Sequence, residues 1–180
     1  LSKPFQIVFL VGMPGVGKTH YGSNAAVKFN ADFYDLDEVL EKHAQMPIYI
    51  LFEKIGEPAF RKLEIEQLQS LVIQCKSDTI IATGGGTASI TGAMDWMKEI
   101  GKVIWLDTEI KHLLDNLRLD FAHRPLFKGL TEIELEQKLL TLETERRPFY
   151  EQSDYKLNVY RGLSADLFTK RLGLSTFGKK

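Results

Sequence analysis

One short segment constrains this chain more than any other. "GMPGVGKT", Gly12 to Thr19, follows the apolar run "QIVFLV" (6–11) and precedes the amphipathic stretch "THYGSNAAVKF". The first flank reads as a buried strand and the second as a helix, so the glycines occupy a strand-to-helix turn. Gly12-x4-Gly17-Lys18-Thr19 is a full Walker A pattern. Glycines there let the backbone curl until several N–H groups point inward at phosphate oxygens, and the helix adds its positive N-terminal end. The pattern assigns Lys18 to the β- and γ-phosphates of a nucleotide and the Thr19 hydroxyl to Mg²⁺.

The remaining chain alternates in the same way. "DFYDLD" (32–37) begins as a strand. "TIIAT" (79–83), "KVIWLD" (102–107) and "YKLNV" (155–159) follow as further strands. Between them lie helical stretches at 37–44, 48–55 and 57–75, near 91–100, at 110–119 and at 132–150, with a last helix after 159. Short apolar strands separated by helices predict a parallel sheet covered on both faces, with right-handed crossovers. Ligands of such sheets bind at the carboxyl ends of the strands, where the glycine turn, "DLD", "GGG" (84–86) and Asp107 all fall. The 180 residues suit one domain spanning 1–180. Apolar content of 44%, charged content of 26% and a net charge of −1 give no sign of a nucleic-acid surface or a membrane surface. No apolar run approaches the roughly 20 residues that span a bilayer, and "LSKPFQ" does not open a signal peptide. The single cysteine, Cys75, rules out a disulfide within the chain and suits a reducing cytoplasm. It shares a helical face with Leu68, Leu71 and Val72, which makes it a core residue.

A guanine-specific Asn-Lys-x-Asp signature is absent, and a motor ATPase would be larger, so a kinase for a small molecule is expected. Its metal and its acceptor need carboxylates. Asp35 and Asp37, two apart in an extended chain, would share one face toward the cleft. Asp107 is expected to cap the helix that follows it. Gly84, Gly85 and Gly86 at a strand's carboxyl end permit close approach to a ligand. Arg61 suits either a ligand carboxylate or its helical neighbours Glu57 and Glu64. Arg146 and Arg147 end a long helix, where dipole compensation is the plain reading. Arg124, in the loop 120–131, suits a lid.

The ordered set "GMPGVGKT", "DLD", "ILFEKIGEPAFRKLE", "ATGGGT", "RPLF" and "RRPFYEQSD" resembles the shikimate kinase family over nearly the whole chain. The resemblance implies an α/β, three-layer P-loop kinase fold: a five-stranded parallel sheet flanked by helices, a helical substrate-binding region (about 35–64) and a lid (about 120–131). It implies phosphorylation of the 3-hydroxyl of shikimate with ATP and Mg²⁺. A gluconate-type kinase is the related alternative. It further implies that Gly12, Met13, Pro14, Gly15, Val16, Gly17, Lys18, Thr19 and His20 hold ATP, with Arg124 from the lid and Arg161 from the loop after the last strand. Arg118 is a weaker nucleotide candidate. Thr19 and Asp35 would serve Mg²⁺. Asp37 would orient or deprotonate the attacking hydroxyl, with Lys18 and Arg124 as the other catalytic groups. Arg61 and Arg146 would grip the shikimate carboxylate, Arg146 because it stands four residues before Tyr150. Gly84, Gly85, Gly86, Phe52 and Phe60 would complete the pocket. A cytoplasmic monomer that binds no nucleic acid and no membrane is implied. His20, "QMPIYI" and the weakly charged lid depart from the family pattern, and none of these departures falls on a residue assigned to chemistry.

Overall fold

The computed structural model describes residues 5–118 and 125–175. Its strands are β1 (Ile7–Val11), β2 (Asp32–Asp35), β3 (Thr79–Ala82), β4 (Lys102–Asp107) and β5 (Tyr155–Asn158). Its helices are α1 (Lys18–Phe29), α2 (Leu36–Ala44), α3 (Ile48–Gln74), α4 (Ala93–Ile100), α5 (Ile110–Leu117), α6 (Glu132–Tyr150) and α7 (Ala165–Ser175). Short 3₁₀ turns occupy Thr87–Ser89 and Pro125–Phe127. The five strands form one sheet in the order β2-β3-β1-β4-β5, and every pairing is parallel.

Side-chain alternation along β1 explains the three layers. Leu10 faces α1, where Gly22 lets the helix approach Leu10 and Phe33 closely. Phe9 faces the other way and meets Trp96 of α4, ring centroids 6.0 Å apart. The register pairs Phe9 with Val103 and Val11 with Trp105, so Trp105 shares the face of Phe9. There it stacks on Tyr150 of α6, with 6.0 Å between centroids. On the Leu10 face, α7 closes over α1 through Tyr21 and Phe168, 4.6 Å apart. β1 and β3 are buried along their whole lengths, as expected for strands covered on both sides.

Two local features position the site. Gly56 (φ 75, ψ 165) breaks α3 into two segments, and Pro58 sits in the first turn of the second, where its missing N–H costs nothing. α6 opens on a capping box: the Glu134 N–H donates to Thr131 Oγ1 at 3.3 Å, and the Thr131 N–H donates to Glu134 Oε2 at 2.7 Å. Those bonds satisfy two otherwise orphaned donors and fix the start of the helix that carries Arg146.

Two expectations are corrected. Asp35 and Asp37 are not related by strand alternation, because β2 ends at Asp35 and α2 starts at Leu36. Asp107 does not cap α5. The N-cap position belongs to Glu109 without a side-chain bond. The Asp107 carboxylate is drawn instead to Lys156 at 2.6 Å and to Arg147 at 3.8 Å, the cations of the neighbouring strand and helix. Cys75 is buried, as expected, and its thiol donates to Leu71 O at 3.3 Å.

Candidate active site

At the carboxyl edge of the sheet, a cavity of about 660 Å³ receives side chains from the phosphate loop, α2, both segments of α3, the turn after β3, Leu126–Phe127 and α6.

The loop is shaped by its glycines. Gly12, Gly15 and Gly17 have φ of 141°, 83° and 97°, a region that glycine enters at little steric cost. Gly12 presses against the Leu106 carbonyl, where no side chain fits. Gly17 is the N-cap of α1 and offers no side chain to the first-turn N–H groups, which leaves those donors for an anion. The Lys18 ammonium is buried and donates to Gly12 O (2.7 Å) and Met13 O (3.1 Å), so the loop itself aims it. Asn116 of α5 braces the apex by donating to Gly15 O at 2.8 Å. His20 is exposed at the cavity rim, its ring edge-on to Tyr21.

Beside the loop, Thr19 Oγ1 donates to Asp35 Oδ2 at 2.5 Å, while Asp35 Oδ1 accepts the Asp37 N–H at 2.9 Å. One carboxylate therefore caps α2 and also faces the Thr19 hydroxyl. Among the described residues, no cluster of three or more His, Cys, Asp or Glu forms a metal cage. A single hydroxyl and a single carboxylate fit Mg²⁺, which keeps several of its waters and uses few protein ligands.

The opposite wall is assembled around Gly84, Gly85 and Gly86. A Cβ at Gly84 would meet the Glu64 carboxylate and would lie 3.4 Å from Asp37 Oδ1. At Gly85 it would lie 2.7 Å from Pro14 Cγ, and at Gly86 2.5 Å from Arg61 Nη2. Missing side chains thus let Asp37, the phosphate loop and Arg61 converge. Arg61 bonds Glu64 (2.7 Å) and Glu57 (3.0 Å), so its helical pairing is realised, with Arg61 and Glu64 in the cavity wall. Glu64 is fully buried and also accepts from Thr87 Oγ1 at 2.6 Å. Burial pulls the Arg61 pKa down, but Glu64 and Glu57 outweigh it and hold the guanidinium above the ordinary arginine value. Phe52 and Phe60 pack at 5.1 Å as the apolar side, and the Arg61 guanidinium lies over the Phe60 ring at 5.4 Å.

Arg146 stands out electrostatically. It is only 6% exposed, and its Nη1 has no hydrogen-bond partner among the described residues. A buried guanidinium nitrogen without an acceptor is costly. Its place in the cavity wall beside Arg61 marks where an anionic group of a ligand fits. One turn on, the Tyr150 hydroxyl donates to Gly85 O at 2.5 Å. Burial pushes its pKa up to about 12, against the opposing charges of Arg146 and Arg61.

The other residues expected from the sequence lie elsewhere. Arg161 lines a separate cavity, of about 800 Å³, between α5, α6 and the end of β5. Arg118 is exposed and pairs with Asp115 (3.2 Å) and Glu132 (3.7 Å). Arg124 and residues 120–123 of the expected lid lie outside the described residues. The structure adds Glu64, Thr87, Tyr150 and Asn116 to the site residues expected from the sequence. Glu64 had a signal: it repeats on the apolar face of α3 with Phe60, Leu68 and Leu71, where a carboxylate needs a buried partner. Asn116 and Thr87 had none.

The fold and this cavity define a P-loop phosphotransferase with an acceptor pocket beside its phosphate loop. A family model described as shikimate kinase matches residues 14–172. A shikimate kinase of Sulfurihydrogenibium sp. is 36% identical over 151 residues, 84% of this chain and 86% of the relative. One from Bacteroides fragilis is 33% identical over 82% of each chain. Among solved structures, the shikimate kinase of Bacteroides thetaiotaomicron superposes with a TM-score of 0.87 at 30% identity, covering 94% of this chain and 97% of its own. The Acinetobacter baumannii shikimate kinase, solved in complex with shikimate, gives 0.86 at 32% identity over 96% and 93%. The chain belongs to the shikimate kinase family.

Proposed function

We propose that this protein transfers the γ-phosphoryl group of ATP to the 3-hydroxyl of shikimate, giving 3-phosphoshikimate and ADP. The observation that carries the reading is Arg146: a buried guanidinium whose Nη1 has no partner among the described residues, in one cavity with Lys18, Asp37 and Arg61. A carboxylated polyol supplies what that cavity lacks, and the Acinetobacter baumannii relative was solved with shikimate.

In this reading the loop backbone and Lys18 hold the β- and γ-phosphates, so the nucleotide is positioned largely by fixed dipoles. Arg61 and Arg146 take the carboxylate, which orients the ring. Asp37 accepts the proton of the attacking hydroxyl as the new O–P bond forms and the bond to the β-phosphate oxygen breaks. Thr19 and Asp35 would hold Mg²⁺, which neutralises phosphate charge when bound. His20 and Arg161 are proposed nucleotide neighbours, and Arg124 the lid arginine. Catalysis is then mostly positioning plus electrostatics in a water-poor cleft. We also propose a single domain acting as a cytoplasmic monomer. No described helix is long and apolar enough to cross a membrane.

The test is product identification. ATP, Mg²⁺ and shikimate are incubated with the protein, and phosphorus NMR with mass spectrometry follows the mixture. Equimolar ADP and a 3-phosphate ester of shikimate are expected. ATP that stays intact, or a phosphate ester at another position, would overturn the reading.

A further inference from the structure

We propose that the Tyr150 hydroxyl is a positioning group for phosphoryl transfer, holding the acceptor wall against the phosphate loop. Tyr150 is 1% exposed, and its ring is already held by stacking on Trp105. Packing alone would be served by phenylalanine, so the hydroxyl needs a separate cause. It donates to Gly85 O at 2.5 Å and lies 3.9 Å from Met13 Sδ in the phosphate loop. Gly85 in turn abuts Pro14, with no room for a side chain between them. Residues four apart on a helix share a face, so Arg146 is carried on the same side of α6 one turn earlier. One hydroxyl therefore joins three parts of the site: the carboxylate anchor on α6, the glycine turn beside Asp37, and the loop that holds phosphate.

The reacting centres lie on either side of this joint. A misplacement of about 1 Å between an acceptor and a phosphoryl group costs on the order of 10²-fold in rate. The joint needs a protonated phenol, and burial keeps the proton on well above neutral pH. The charges that bear on it are Arg146, Arg61 and Glu143. Tyr150 is not assigned to either substrate, so its effect runs through Gly85, Met13 and the Arg146 side chain, to which the hydroxyl is also hydrogen-bonded.

The inference rests on the shikimate reading, and one experiment separates the two. Wild-type turnover with shikimate tests the reading, and the ratio of Tyr150→Phe to wild type tests Tyr150. The variant keeps the ring and loses the donor. Its kcat should fall about tenfold, with KM for ATP and for shikimate each within about threefold. More ATP should be hydrolysed to free phosphate per phosphoshikimate formed. A kcat within twofold of wild type, or a loss confined to KM for shikimate, overturns the proposal. If the variant does not fold, 3,5-difluorotyrosine at position 150 keeps the shape and makes the phenol more acidic. Its kcat should then drop at an alkaline pH where the wild type stays level, and superimposable profiles overturn the proposal.

Discussion

The phosphate loop and the acceptor wall sit on opposite sides of one cavity and are built by opposite means. The loop is a contiguous run, Gly12–Thr19, whose working groups are mainly backbone amides and one lysine that the loop's own carbonyls hold. The wall is side-chain work from separate elements. Asp37 comes from α2, Arg61 and Glu64 from α3 and Arg146 from α6, and they meet over glycines that contribute mainly by having no side chain. A backbone site recognises a group common to all nucleoside triphosphates. A site gathered from distant side chains can be specific to one acceptor, because each element sets one contact independently.

That division can be broken by substitution. The largest effect is expected from Asp37→Asn, which keeps shape and removes the proposed proton acceptor. Turnover with shikimate should fall about 10³-fold, while nucleotide affinity measured by calorimetry stays within about twofold. Equal loss of nucleotide binding would show that the two sides are not separable. Arg146→Ala should lower kcat/KM for shikimate about 10²-fold and leave KM for ATP unchanged in steady-state assays. A matching rise in KM for ATP would place Arg146 on the wrong side of the cavity.

A subtler test uses Gly86→Ala. Gly86 has φ −102°, which alanine adopts freely, so the nearest obstacle is the Arg61 guanidinium, whose Nη2 and Cζ lie 2.5 and 2.7 Å from the new Cβ. The guanidinium must shift, and kcat/KM for shikimate should fall about tenfold while the melting temperature barely moves. The smallest effect is expected from Asn116→Ala, which removes the brace on Gly15 O. KM for ATP should rise about threefold, in line with one neutral hydrogen bond, with KM for shikimate unchanged.

The same contrast explains what the sequence could reveal. The loop, the carboxyl edge of the strands and the helix at 132–150 follow from local rules: spacing, alternation and capping. The acceptor wall follows local rules only in part. Arg61 and Glu64 are visibly three apart on one helix, and Glu64 falls on an apolar face. Nothing local says that Arg146 Nη1 lacks an acceptor among the described residues or that Gly86 lies beneath Arg61, because the first arises from α6 packing across the sheet edge and the second from α3 lying against the turn after β3. Asp107 shows the limit in the other direction. An acidic residue just before a helix suggests a cap, but Lys156 and Arg147, brought alongside by β5 and α6, offer it full opposite charges. Asp35 and Asp37 reached the same cavity by a route the strand pattern did not contain, since Asp35 ends β2 by capping α2.

The central claim is that the acceptor wall selects shikimate, and one measurement addresses it directly. ADP release is followed with ATP and Mg²⁺ in the presence of shikimate, gluconate or a nucleoside monophosphate, each at equal concentration. The account predicts rapid release with shikimate and only background release with the other two. Comparable or faster release with gluconate or a nucleoside monophosphate would contradict it.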